Sequence, residues 1–163
     1  MTDLAAVLQE FHKEKLSALL RHQAGARSIQ QYDINNAYQY IINREETQLS
    51  WLTRALAELG ITVQSQPEPE RKAKPGSSGA DAARQIIEED AQEAAAFVER
   101  WRPRVEAIAD ARHRGTLRVI LGETLEQKRF FEQALAGQLD LLGRRTSAVG
   151  VRVGKVLPTR WLA

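Results

Sequence analysis

The chain of 163 residues contains no cysteine, which excludes a disulfide framework, a zinc knuckle, an iron–sulfur cluster and a thiol nucleophile. Any chemistry must come from oxygen and nitrogen. Glycine and proline number only ten and five and aromatics make up 6%, so collagen-like and low-complexity classes are excluded. No apolar run approaches the roughly 20 residues needed to span a bilayer. The opening Met-Thr-Asp-Leu lacks the basic patch and apolar stretch of a secretion signal. A cytoplasmic protein with no transmembrane segment is expected. Gly-rich phosphate loops, a Ser/His/Asp order and a His-Glu-x-x-His motif are also missing.

A strongly one-signed charge is missing too, since the formal balance is +2. Residues 143–163 nevertheless hold Arg144, Arg145, Arg152, Lys155 and Arg160 with no acid, leaving residues 1–142 mildly acidic. Nucleic-acid binding needs basic residues concentrated on a folded face, and only this tail is basic, so a nucleic-acid partner is not expected.

What the chain does have is four long segments whose apolar residues recur every three or four positions, the period of an amphipathic helix. The fold class is all-α. The first helix is predicted over about Thr2–His22, with Leu4, Leu8, Phe11, Leu16 and Leu19 on one stripe. The second covers about Ser28–Leu59 and stops at Gly60. The third runs over about Ala80–Ala107, bent near its end by Pro103. The fourth begins beyond a break at 109–115 and carries Leu117, Ile120, Phe131 and Leu135 to a stop at Gly143. Residues 61–79 hold three prolines and two glycines and read as a linker. Extended, such a linker reaches roughly 60 Å, against about 42 Å for a helix of about 28 residues. Short, long, short connections make helices two and three parallel across a long crossover. One bundle domain over 1–142, including the flexible 61–79 linker, and an irregular tail over 143–163 follow.

Superposing residues 39–60 on 118–139 gives five identities, among them Ile41 on Ile120 and Gln48 on Gln127. That pattern fits two helical hairpins related by a pseudo-twofold axis.

Polar residues on the apolar stripes carry the functional information. At 100° per residue, Glu45 and Gln48 fall between Ile41 and Leu52, and Thr124 and Gln127 between Ile120 and Phe131. Asp90 lies between Ile87 and Ala94, and His12 and Lys15 between Leu8 and Leu19. Every helix thus places polar groups about halfway along, at the driest height of a bundle. A carboxylate there must be neutral, paired with a cation or bound to a metal. The alternative is a thinner bundle whose edge wets these groups. His22 and His113 read as helix-end residues facing solvent, and Trp51 and Trp101 as core or interface anchors.

The segment Asn-Arg-Glu-Glu-Thr-Gln-Leu-Ser-Trp-Leu, 43–52, resembles the Glu-Glu-x-His-x-x-Trp-Leu segment of the ferritin, bacterioferritin and rubrerythrin superfamily, and 120–131 resembles its partner helix. The resemblance implies a ferritin-like four-helix bundle. In that superfamily, Glu-x-x-His pairs from two helices and one Glu from each of the others hold two iron or manganese ions. Carried over, Glu45 matches the first Glu, Asp90 the single carboxylate of helix three, and Glu123 could swing in as a third ligand. Gln48 and Gln127 stand where histidines belong, Thr124 where a Glu belongs, and helix one offers His12 or Lys15 instead of an acid. Neutral amides are poor ligands for iron. The expected function is therefore a ferritin-like scaffold or interaction protein with no cofactor, its core a network of Lys15, His12, Gln48, Thr124 and Gln127 around the carboxylates. The alternative is a rubrerythrin-like di-iron or di-manganese oxidoreductase, a choice that leaves open whether the protein is an enzyme. A homodimer is expected from the long helices. The tail, with alternating Val149, Val151 and Val153 and an apolar Trp161, reads as a peptide that docks on a protein partner or as a loose end.

Overall fold

A computed structural model describes residues 3–64, 79–138 and 140–142, and the following statements concern these residues. They form four helices and no strand: α1 (Leu4–Ala26), α2 (Tyr32–Glu58), α3 (Gly79–Glu106) and α4 (Ala111–Leu135). None is long and apolar enough to cross a membrane.

Local chemistry sets the helix ends. The Asp3 carboxylate accepts from the backbone of Ala5 and Ala6 at the start of α1, and Asp110 accepts from His113 N at 2.8 Å to open α4. Between α1 and α2, the Asn35 side chain donates to the carbonyls of Ala26 and Ile29, fixing the short turn. Gly60 and Gly137 take positive φ of 77° and 83°, closing α2 and α4 with paired backbone bonds. The fourth helix therefore ends eight residues before the predicted stop at Gly143. Leu141 still packs into the core after that turn, which is why the apolar pattern seemed to continue. Likewise α1 runs to Ala26, a full turn past the predicted end at His22, while α4 starts inside the predicted break.

α1 packs chiefly against α2, and α3 against α4. The resulting hairpins meet along two seams. Across the α1–α3 seam, Arg104 reaches Glu10, Arg100 reaches Glu14 and Arg21 reaches Asp90, so the two helices run antiparallel. Across the α2–α4 seam, Tyr38 packs on Phe131, Arg44 bonds Glu123 and Arg112 bonds Glu58, which is again antiparallel. Phe11 meets Phe97 and Trp101 edge to face on one side of the midpoint, and on the other Tyr38 meets His22 edge to face and Phe131 at a tilt of 45°. The predicted linker lies outside the described residues over 65–78, and the tail does so over 143–163, including Val149, Val151, Val153 and Trp161.

Candidate functional site

Halfway along the bundle, polar side chains from all four helices replace the apolar layers. Lys15 and His22 come from α1, Glu45 and Gln48 from α2, Asp90 from α3, and Thr124 and Gln127 from α4, all buried. Lys15 and His22 stand seven residues apart, two helical turns, and so share one face.

Glu45 is fully enclosed. His22 Nδ1 donates to its Oε1, and Lys15 Nζ lies 3.5 Å from its Oε2. Burial pushes the Glu45 carboxyl up, but the neighbouring His22, Lys15 and Arg21 outweigh it and hold the group below the usual carboxylate range. It is therefore an ion at neutral pH. The Oε2 atom accepts no hydrogen bond from any described residue, so Lys15 acts on it through charge. Asp90 is also sealed from solvent. It accepts from the Tyr38 hydroxyl at 2.5 Å and lies 3.4 Å from Arg21 Nε and 3.9 Å from His22 Nε2. The His22 ring thus stands between the two carboxylates, and tyrosine, lysine and arginine complete the surround.

Glu123 belongs to a different arrangement. It lies on the α2–α4 seam, half-buried, where Arg44 donates to it twice and Gln48 once. Thr124 spends its hydroxyl proton on the Ile120 carbonyl of its own helix at 2.8 Å. Gln127 is buried and borders the space between α1 and α3, without a hydrogen bond to any described residue. His12 is buried yet stands apart from the network. Its Nε2 faces Thr53 at 3.4 Å, and burial lowers its pKa. Trp101 is a core residue that donates its indole N–H to Glu14, whereas Trp51 is half-buried beneath Arg44.

The wheel positions of Lys15, Glu45, Gln48, Asp90, Thr124 and Gln127 all prove buried, but the only ion pair among these six is Lys15 with Glu45, whereas Gln48 bonds Glu123 and Thr124 bonds its own helix. Three residues of the centre were not selected: His22, Arg21 and Tyr38. His22 was assigned to a solvent-facing helix end, but the helix continues past it and the ring is 3% exposed. Its seven-residue spacing from Lys15 was the available signal.

As a candidate metal centre the residues fit poorly. Glu45 and Asp90 are already compensated by Lys15, Arg21 and His22, and Glu123 is engaged by Arg44 and Gln48. No three His, Asp or Glu side chains among the described residues converge on a point where an ion could be held. A divalent ion would have to displace the Lys15 ammonium, which occupies the same electrostatic role at no coordination cost. Comparison with known proteins adds nothing to this geometry: no protein-family model, curated protein or solved structure matches the chain.

Proposed function

We propose that the protein is a helical scaffold or interaction protein on a ferritin-like bundle, its centre held by an ion network in place of a redox metal. The antiparallel seams support the topology. With α1 opposed to α3 and to α2, helices α2 and α3 point the same way, the orientation that the second and third helices have in a ferritin-like bundle. The observation that carries the functional reading is Lys15 Nζ at 3.5 Å from Glu45, both side chains sealed from water. Lys15 supplies positive charge to Glu45 as Arg21 does to Asp90, and His22 between the two carboxylates sets the register of α1 against α2 and α3.

Anaerobic ferrous titration of the purified chain, with elemental analysis, tests this reading. Uptake indistinguishable between the native protein and Glu45→Ala is the expected result. Two irons per chain, lost in Glu45→Ala, would overturn it in favour of the di-iron oxidoreductase.

A further inference from the structure

The α1–α3 seam is closed by Phe11, Phe97 and Trp101 at one end. Beyond Phe97 the facing residues shrink to Ser17, Ala18 and Ala94, and a cavity of about 120 Å³ opens between the helices. Lys15, Arg21, His22, Thr124 and Gln127 line it, whereas Glu45 and Asp90 lie behind them and are not part of the wall. The two acids that do line it, Glu14 and Glu93, are bound by Arg100 at 2.8 and 3.3 Å, and Glu14 also accepts from the Trp101 indole at 2.8 Å. The hydrogen-bonding capacity left toward the space is therefore mostly that of donors: an ammonium above the Phe97 ring, a guanidinium at the mouth that is 29% exposed, and the Gln127 amide, which no described residue satisfies.

We propose that this cavity binds a small carboxylate. A dry cavity of about 150 Å³ holds benzene, so this one suits an acid of roughly four to six non-hydrogen atoms. The carboxylate would receive charge-assisted bonds from Lys15 and Arg21 and one N–H from Gln127, with its short alkyl end against Ala18, Ala94 and Phe97. Neutral amides of the same shape offer one oxygen in place of two and no charge, and the cation wall discriminates against them. Pairing to Glu45 and Asp90 does not saturate these donors. Lys15 has three N–H groups, and the terminal nitrogens of Arg21 extend beyond the Nε that faces Asp90. The proposal needs the cation wall alone and stands separately from the question of metal content, which the iron titration decides.

Propionate titrated into the full-length chain, followed by calorimetry and by the side-chain amide signals of Gln127, provides the test. One saturable site per chain is expected, with propionamide at least about tenfold weaker. Arg21→Leu at the mouth and Gln127→Leu at the floor should each weaken binding about tenfold. Arg104→Leu, on the same seam but paired to Glu10 outside the cavity, should leave it unchanged. Ala18→Leu fills the space with a good helix former, and should abolish binding with the melting temperature held or raised. It decides the matter should Gln127→Leu fail to fold. Absence of saturation, equal binding of propionamide, or full binding by the Ala18→Leu protein would overturn the proposal.

Discussion

Along the α1–α3 seam, Lys15, Asp90 and the adjoining Glu45 are sealed from solvent, while Arg21, half-buried, stands at the mouth of the cavity that opens beside them. Along the α2–α4 seam, Arg44 and Glu123 make closer hydrogen bonds but stand at the edge, 34% and 22% exposed. Both seams join the same two hairpins with cations facing carboxylates. The difference lies in water. At the edge, solvent competes for each charge and a lost partner is replaced by hydration. In the centre a lost partner is not replaced, and the remaining ion stays buried without compensation. Short contacts therefore do not identify the energetically decisive pair; enclosure does.

Lys15→Ala should break this comparison most forcefully. It leaves Glu45 with His22 as its one direct contact and only the more distant Arg21 beyond it, and should cost about 3 kcal/mol or more in denaturant unfolding. A loss below about 1 kcal/mol would mean that water reaches the centre as freely as it reaches the edge. Replacing both partners, Lys15→Met with Glu45→Met, should cost less than Lys15→Ala alone, because no ion is left unpaired and the apolar chains fill similar volume. A double-mutant cycle measures this directly.

Acid sharpens the same contrast. The folded-state pKa of Glu45 is depressed, so its stabilising effect is complete above the unfolded value near 4.5 and is lost as pH falls through the folded value. The melting-temperature gap between the native protein and Glu45→Gln should be widest at neutral pH and close progressively on acidification below about 4.5. The smallest effect belongs to the edge: Arg44→Ala should cost under about 1 kcal/mol and lose even that in high salt.

Much of the polar centre was legible because helical periodicity is a geometric rule that reads burial from spacing. Glu45 and Asp90 interrupt apolar stripes near their centres, and the structure seals both from solvent, while the wheel placed Glu123 off-centre, where it lies. The wheel could not show partners. It gives an angle on one helix, while the Lys15–Glu45 and Tyr38–Asp90 pairings depend on how helices are staggered against one another. Tyr38 went unnoticed because an aromatic ring on an apolar stripe reads as core, although its hydroxyl ends on a carboxylate. His22 was misplaced by a boundary error of four residues, since the predicted end at His22 lies one turn short of Ala26. Helix ends are set by capping bonds and not by the stripe, which also explains the premature end of α4 at Gly137.

The uneven division of charge between the hairpins bears on how the chain assembles. Lys15, His22 and Glu45 all belong to the first hairpin, whose short α1–α2 turn lets it form locally. Asp90 sits in the second hairpin, and Tyr38 and Arg21, which meet it, come from the first. Its dehydration is therefore matched by these partners only when the two hairpins dock in register, and a slipped docking would bury a carboxylate away from Tyr38 and Arg21, a penalty that a purely greasy interface would not impose.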